Sequence, residues 1–157
     1  MSAKGGERTS FCDSVTLMSG FGFFPRDGAG GHSSAPRGYG SATVHVGEMV
    51  ETVFCNLEIW SSADYASHWR DGALKCLAER QPLLFCTDLT KRNATVFAAF
   101  PEGDGYAFEQ WVIQRRTFTV TGKEITLNRG SDMVRSGDDA SCWWVDRASI
   151  IDFANAV

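Results

Sequence analysis

The sequence predicts an α+β domain, an antiparallel sheet meander packed against one long central helix and a C-terminal helix. Three observations predict it. Residues 59–80, IWSSADYASHWRDGALKCLAER, place Tyr65, Trp69, Ala73, Cys76 and Leu77 at the three-to-four spacing of a single helix face. Between residues 82 and 145, apolar runs alternate with short polar turns. Parallel strands need crossovers of a dozen residues or more, so these runs pair antiparallel. Asp146 then opens a second helical stretch carrying Ile150, Ile151 and Phe153. Helices laid on a strand meander give the α+β class.

Taken in order, residues 1–42 read as a flexible Gly-rich N-terminal extension, and residues 43–157 as a single domain. Nine of the sixteen glycines fall in the first forty positions, and such a composition buries too little apolar area to offset its ordering entropy. Phe21, Phe23 and Phe24 are the exception, an arm able to dock on the domain. Met18 is a second candidate initiator, which makes residues 1–17 dispensable in this reading.

From Ala42 the chain becomes strand-like. Val44 and Val46, then Val53, Cys55, Leu57 and Ile59, alternate with polar residues around a turn near Gly47. The long helix follows. Ser61 with Asp64 forms a capping box, Pro82 stops the helix, and Asp71 precedes Lys75 by the four residues that favour an ion pair. Asp64, His68, Asp71, Lys75 and Glu79 fall on its polar face. Gly72 lies in the apolar stripe at a cost of roughly 1 kcal/mol against alanine, which a sheet passing close beneath would explain.

After the helix, residues 82–88 (PLLFCTD) are a nearly continuous apolar run, as a central strand would be. Residues 94–100 and 106–114 are the next two strands, separated by the turn PEGDG. Residues 116–120 and 124–128 flank Thr121-Gly122-Lys123 as a small hairpin or one interrupted strand. Residues 129–141 are a polar loop, 142–145 a last strand, and 147 to about 156 the terminal helix.

Composition excludes some functions. The formal net charge is −4 and the pI is near 5.3, which disfavours nucleic acid as a direct partner and favours a basic one. No run of 18 apolar residues occurs, and the first residues lack the apolar core of a signal peptide, so no membrane association and a cytoplasmic location are expected. Cys12, Cys55, Cys76, Cys86 and Cys142 are scattered, with no Cys-x-x-Cys and no Cys/His cluster of zinc-site spacing. Neither a metal nor a cofactor is implied, and buried reduced thiols are the expected state.

No Gly-x-Ser-x-Gly elbow is present. A Cys–His pair drawn from five cysteines and His32, His45 and His68 has no local signature, so no catalytic residue is assigned. Asp64, four residues before His68, accounts for that histidine by helix electrostatics alone. The acidic residues Glu102, Asp104, Asp132, Asp138 and Asp139 fall in turns or loops. Without the alternating oxygens of an EF-hand they read as solvated loops, or as an electrostatic docking group for a basic protein. Trp143-Trp144 and Phe108/Trp111 each direct one ring to each face of a strand, so one of each pair is expected in the core and the other exposed. Lys91-Arg92 and Arg115-Arg116 are the only basic pairs, too few for a nucleic-acid groove.

The segments IWSSADYASHW and LKCL, then PLLFCTDLTKRNATVFAAFPEGDGYAFEQWVI, then SCWWVDRASIIDFANAV, resemble the immunity proteins of bacterial contact-dependent growth inhibition, the CdiI family. The similarity is to the group paired with ribosomal-RNA-cleaving toxins. Trp60, Tyr65 and Trp69 match its helix-opening pattern, and Trp144, Asp146, Ile150, Ile151, Asp152 and Phe153 match its ending in kind. The resemblance covers about residues 43–157. It implies a non-enzymatic toxin-neutralising protein that binds a cognate C-terminal nuclease toxin domain and blocks it. On that reading Glu102, Asp104, Asp132, Asp138 and Asp139 are the toxin-binding candidates, while Trp60, Tyr65, Trp69 and Trp144 hold the fold together. The chain departs from the pattern in its Gly-rich extension and its compact RTFTVTGKEITLN region. Two other classes stay open from the residues: a small ligand-binding α+β domain or enzyme, which needs a closed polar pocket with His45 or His68 beside a buried cysteine, and a single-stranded nucleic-acid binder, which needs exposed tryptophans on a basic sheet face.

Overall fold

The protein, as a computed structural model, is described over residues 20–26, 35–128, 133–136 and 141–156. In chain order the strands and helices are β1 (Gly20–Pro25), β2 (Tyr39–Gly47), β3 (Met49–Asn56), α1 (Ser62–Glu79), β4 (Leu83–Leu89), β5 (Asn93–Glu102), β6 (Gly105–Gln114), β7 (Phe118–Thr121), β8 (Glu124–Leu127), β9 (Trp143–Asp146) and α2 (Arg147–Asn155). A single 3-10 turn, Arg115–Thr117, joins β6 to β7. All strand pairs are antiparallel, in sheets of order β1-β2-β3, β4-β5-β6-β9 and β7-β8. The α+β expectation holds, and the RTFTVTGKEITLN region is a hairpin. No described helix is long and apolar enough to cross a membrane.

The boundary at residue 42 is corrected. Residues 20–25 and 39–42 are strand, and the described domain begins at Gly20. The reason is aromatic packing. The Phe21 ring lies 5.4–5.5 Å from those of Trp69, Phe85, Phe108 and Phe153. Phe23 stacks on Tyr65 and Trp69. Gly22 serves this packing, since a Cβ there would sit 2.9 Å from the Phe153 ring. Residues 1–17 lie outside the described residues.

The α1 capping box is present. The Asp64 N–H donates to Ser61 Oγ at 3.1 Å, and the Ser61 N–H donates to the Asp64 carboxylate at 2.9 Å. At the far end Arg80 takes a left-handed conformation (φ 51°), with its N–H on the Cys76 carbonyl. Tyr65, Trp69, Ala73 and Cys76 are buried as expected. The expected Asp71–Lys75 pair is replaced: Lys75 reaches across to Glu124 of β8.

Gly72 meets β4, as its position in the stripe implies. A Cβ on Gly72 would lie 2.6 Å from the Phe85 ring, which is itself fully buried. Two effects compete in Gly72→Ala. Helix propensity gains roughly 1 kcal/mol, while overpacking a ring that cannot retreat costs about 1–3 kcal/mol. Urea unfolding is expected to show net destabilisation; a raised midpoint would mean that Phe85 moves aside freely.

The continuous apolar run predicted a central strand, but β4 ends the four-stranded sheet. Its outer edge is closed by α1 side chains instead of a strand. His68 Nε2 accepts the Cys86 N–H at 2.8 Å. Trp69 Nε1–H donates to the Cys86 carbonyl at 2.8 Å. The Tyr65 hydroxyl accepts the Leu89 N–H at 2.9 Å. An edge so covered cannot recruit another strand, and its residues are buried as if central.

None of the five tryptophans is exposed. Trp60 and Trp69 are buried, and Trp111, Trp143 and Trp144 are half-buried. The expected in/out division at Trp143-Trp144 therefore gives two partly buried rings. Trp143 packs on Phe97, and Trp144 Nε1–H donates to the Glu102 carbonyl at 3.2 Å. Phe108 is core, while Trp111 rests against Phe100 at 5.7 Å.

Candidate functional site

His68 corrects the sequence expectation most sharply. Expected on the exposed helix face, it is 4% exposed. The β7–β8 hairpin covers it: Nδ1 lies 2.7 Å from the Lys123 carbonyl, and the Trp60 ring lies 4.9 Å away. With Nε2 accepting from Cys86, Nδ1 carries the proton and donates to Lys123. Desolvation lowers the His68 pKa to about 4, against the opposing pull of the Lys123 carbonyl, Asp71 and Glu124. Both ring nitrogens hold backbone, so neither is available to activate a nucleophile.

The described thiols are equally committed. Cys55, Cys76 and Cys86 are free and buried, whereas Cys142 is half-buried and disulfide-bonded, against the reduced state expected of it. Burial, reinforced at Cys55 by the Asp88 charge, raises Cys55 to about 12. Burial raises Cys76 to about 12 and pushes Cys86 up as well. A thiol held protonated is a poor nucleophile. Cys12 and His32 lie outside the described residues. His45 faces the ring edge of Phe24. Among the described residues no group of three or more His, Cys, Asp or Glu side chains gathers to hold a metal.

The acidic candidates divide. Asp104 is exposed in the β5–β6 turn. Glu102, at the base of that turn, is half-buried and accepts from Arg135 at 2.6 Å. Asp132, Asp138 and Asp139 lie outside the described residues. Arg135, in the described segment 133–136, makes the bond to Glu102 and ties this segment to the acidic turn.

A residue not singled out in the sequence anchors this tie. Glu109 is 1% exposed on β6; its Oε1 accepts Trp111 Nε1–H and the Ser136 N–H, each at 3.0 Å, and Oε2 lies 3.8 Å from Arg135 Nε. A buried carboxylate is tolerated only with such partners. The available signal was an arginine set between the aspartates of the polar loop.

A cleft of about 640 Å³ runs between α1, the start of β4 and the β7–β8 hairpin. Leu83, Leu84, Ile125, Leu127 and Met133 make its apolar wall, with His68, Asp71 and the Lys75–Glu124 pair among its polar lining. His68 beside Cys86 is thus found at a cleft, but the contact is through the Cys86 backbone N–H, not the thiol.

No protein-family model matches the chain, and no curated protein matches it. Among solved structures, the chain is similar to one in the CdiA-CT/CdiI toxin and immunity complex from Enterobacter cloacae. The TM-score is 0.63 and the identity 16%, over 85% of this chain and 95% of that one. At this identity the likeness establishes the fold alone.

Proposed function

We propose that this chain is an immunity protein that acts in the cytoplasm, binding a cognate toxin domain and blocking it, without catalysis of its own. The observation that carries the proposal is the fold shared, over 85% of this chain, with a chain of a toxin and immunity complex. The chemistry supports it. The described thiols are held protonated and the buried histidine is spent on backbone. The toxin proposed is a nuclease of the ribosomal-RNA-cleaving group. Such an enzyme binds a polyanion and presents a basic face, which an acidic docking group of Glu102, Asp104, Asp132, Asp138 and Asp139 complements.

The test is co-expression with the C-terminal domain of a large exported protein, where the gene immediately upstream encodes one. Rescue of growth and a stable one-to-one complex are expected; arrest despite soluble expression overturns the proposal. Within the complex, Asp104→Lys is the clean probe, because Glu102 also holds Arg135. It should slow association about two- to tenfold at low salt and leave dissociation nearly unchanged. A wild-type rate and salt slope would remove this turn from the interface.

The cleft beside α1 favours a second reading, a small apolar ligand. Leu83→Trp, which fills the cleft, separates the two: an immunity protein keeps its rescue, and a protein that works through the cleft loses its function.

A further inference from the structure

One end of the four-stranded sheet is basic, although the whole chain is acidic. The β4–β5 turn brings Arg92 beside the residues that follow β6, where the Arg115 N–H donates to the Arg92 carbonyl at 2.8 Å. Arg92, Asn93, Val112, Gln114, Arg115 and Arg116 line a shallow groove of about 490 Å³. The Arg115 guanidinium is committed to the Phe118 carbonyl and ring. Arg92 and Arg116 are exposed, and no carboxylate lies within ion-pair distance of either among the described residues.

At the same end, part of the β6 edge has no strand beside it among the described residues. β5 pairs with the full length of β6, but β9 pairs with β6 only from Gly105 to Phe108. Over residues 109–114 the side of β6 away from β5 has no strand beside it among the described residues. Val112 on this stretch is 68% exposed, and Gln110 and Gln114 are exposed with it. The opposite margin of the sheet, β4, is closed by Tyr65, His68 and Trp69. An unpaired edge offers main-chain donors and acceptors at the repeat of another strand.

We propose that residues 109–114 of β6 form a docking edge that takes an extended, acidic segment of a partner protein as an added strand, with that segment's carboxylates held by Arg92 and Arg116. A carboxylate-bearing segment satisfies both halves of the surface. A nucleic acid would use the arginines and leave the main-chain edge unused. The arginine end of the surface lies at the far end of the β5–β6 hairpin from Asp104, roughly 30 Å away at the rise of an extended strand, so Arg92 and Arg116 are tested apart from Asp104.

The test uses the full chain and a labelled ten-residue peptide of alternating Val/Thr and Glu, followed by fluorescence anisotropy and amide hydrogen exchange. Saturable binding is expected, with exchange slowed at residues 110–114. Arg92→Glu/Arg116→Glu should weaken binding at least tenfold. Val112→Asp, which adds a repelling charge on the edge itself, should weaken it several-fold, and circular dichroism checks that both variants fold. A peptide with Lys in place of Glu should not bind. No binding of the Glu peptide, binding indifferent to the arginines, or binding without protection of residues 110–114 each overturns the proposal. So does a single-stranded oligouridylate that outcompetes the peptide, which would mark the arginines as a phosphate surface.

Discussion

Trp69→Ala lowers the free energy of unfolding by about 3–5 kcal/mol, the range for deleting a fully buried large aromatic. Trp69 has no exposed surface, and its ring lies 5.0–6.2 Å from those of Phe21, Phe23, Phe85 and Phe97. The loss is large against the roughly 5–15 kcal/mol that holds a domain together. The substitution also strips the Cys86 carbonyl of its donor on the covered edge of β4. Trp69→Phe separates the two contributions, because it keeps much of the ring and loses the donor, a change worth about 1–3 kcal/mol for a buried acceptor left unmade. Urea unfolding by tryptophan-independent circular dichroism measures both. A nearly unmoved midpoint for Trp69→Ala would place the ring outside the core and undo the packing described for β1, α1 and β4.

Stability falls as the solution is acidified from pH 7 towards pH 4, and His68 carries much of the fall. The folded protein holds His68 neutral down to about pH 4, against an ordinary histidine value of 6.5. Between these values the unfolded chain binds a proton that the folded chain refuses. The stabilisation is therefore complete above about pH 6.5 and lost by about pH 4. The gap corresponds to roughly 3 kcal/mol. Burial raises the Asp88 carboxyl and so works in the opposite direction. His68→Gln isolates the histidine: this variant is weaker at pH 7 and loses less on acidification. Equal losses between pH 7 and pH 4.5 for the two proteins would show that His68 does not carry the dependence. A proton on Nε2 would confront the Cys86 N–H with a second donor, so acid loosens the β4 edge and the hairpin held at Lys123 together.

What the sequence revealed followed from local rules. The α1 start was legible because Ser61 and Asp64 satisfy each other's backbone within four residues, whatever the surroundings. The strand meander was legible from turn chemistry such as PEGDG, and Asp146 announced α2 by accepting the Ser149 N–H. The failures share one physical origin, contacts between residues distant in sequence. His68 fell on the polar side of the helical repeat, and only the arrival of Trp60 and the β7–β8 hairpin buries it. Glycine in β1 resembled a linker until Phe153 was seen pressing against Gly22. The candidate docking residues were the least legible, since exposed Asp104 and ion-paired Glu102 look alike as letters and differ by the reach of Arg135.

The meeting of Phe21 with Phe153 has a consequence for how the protein is made. The ribosome releases β1 well before α2, yet their side chains share one cluster. Local hairpins can form during translation, but the centre stays open until α2 has emerged. A nascent chain exposes Phe21 and Phe23 for the whole of its synthesis and is a natural client for chaperones. Deletion of β1 or of α2 should thus produce insoluble protein.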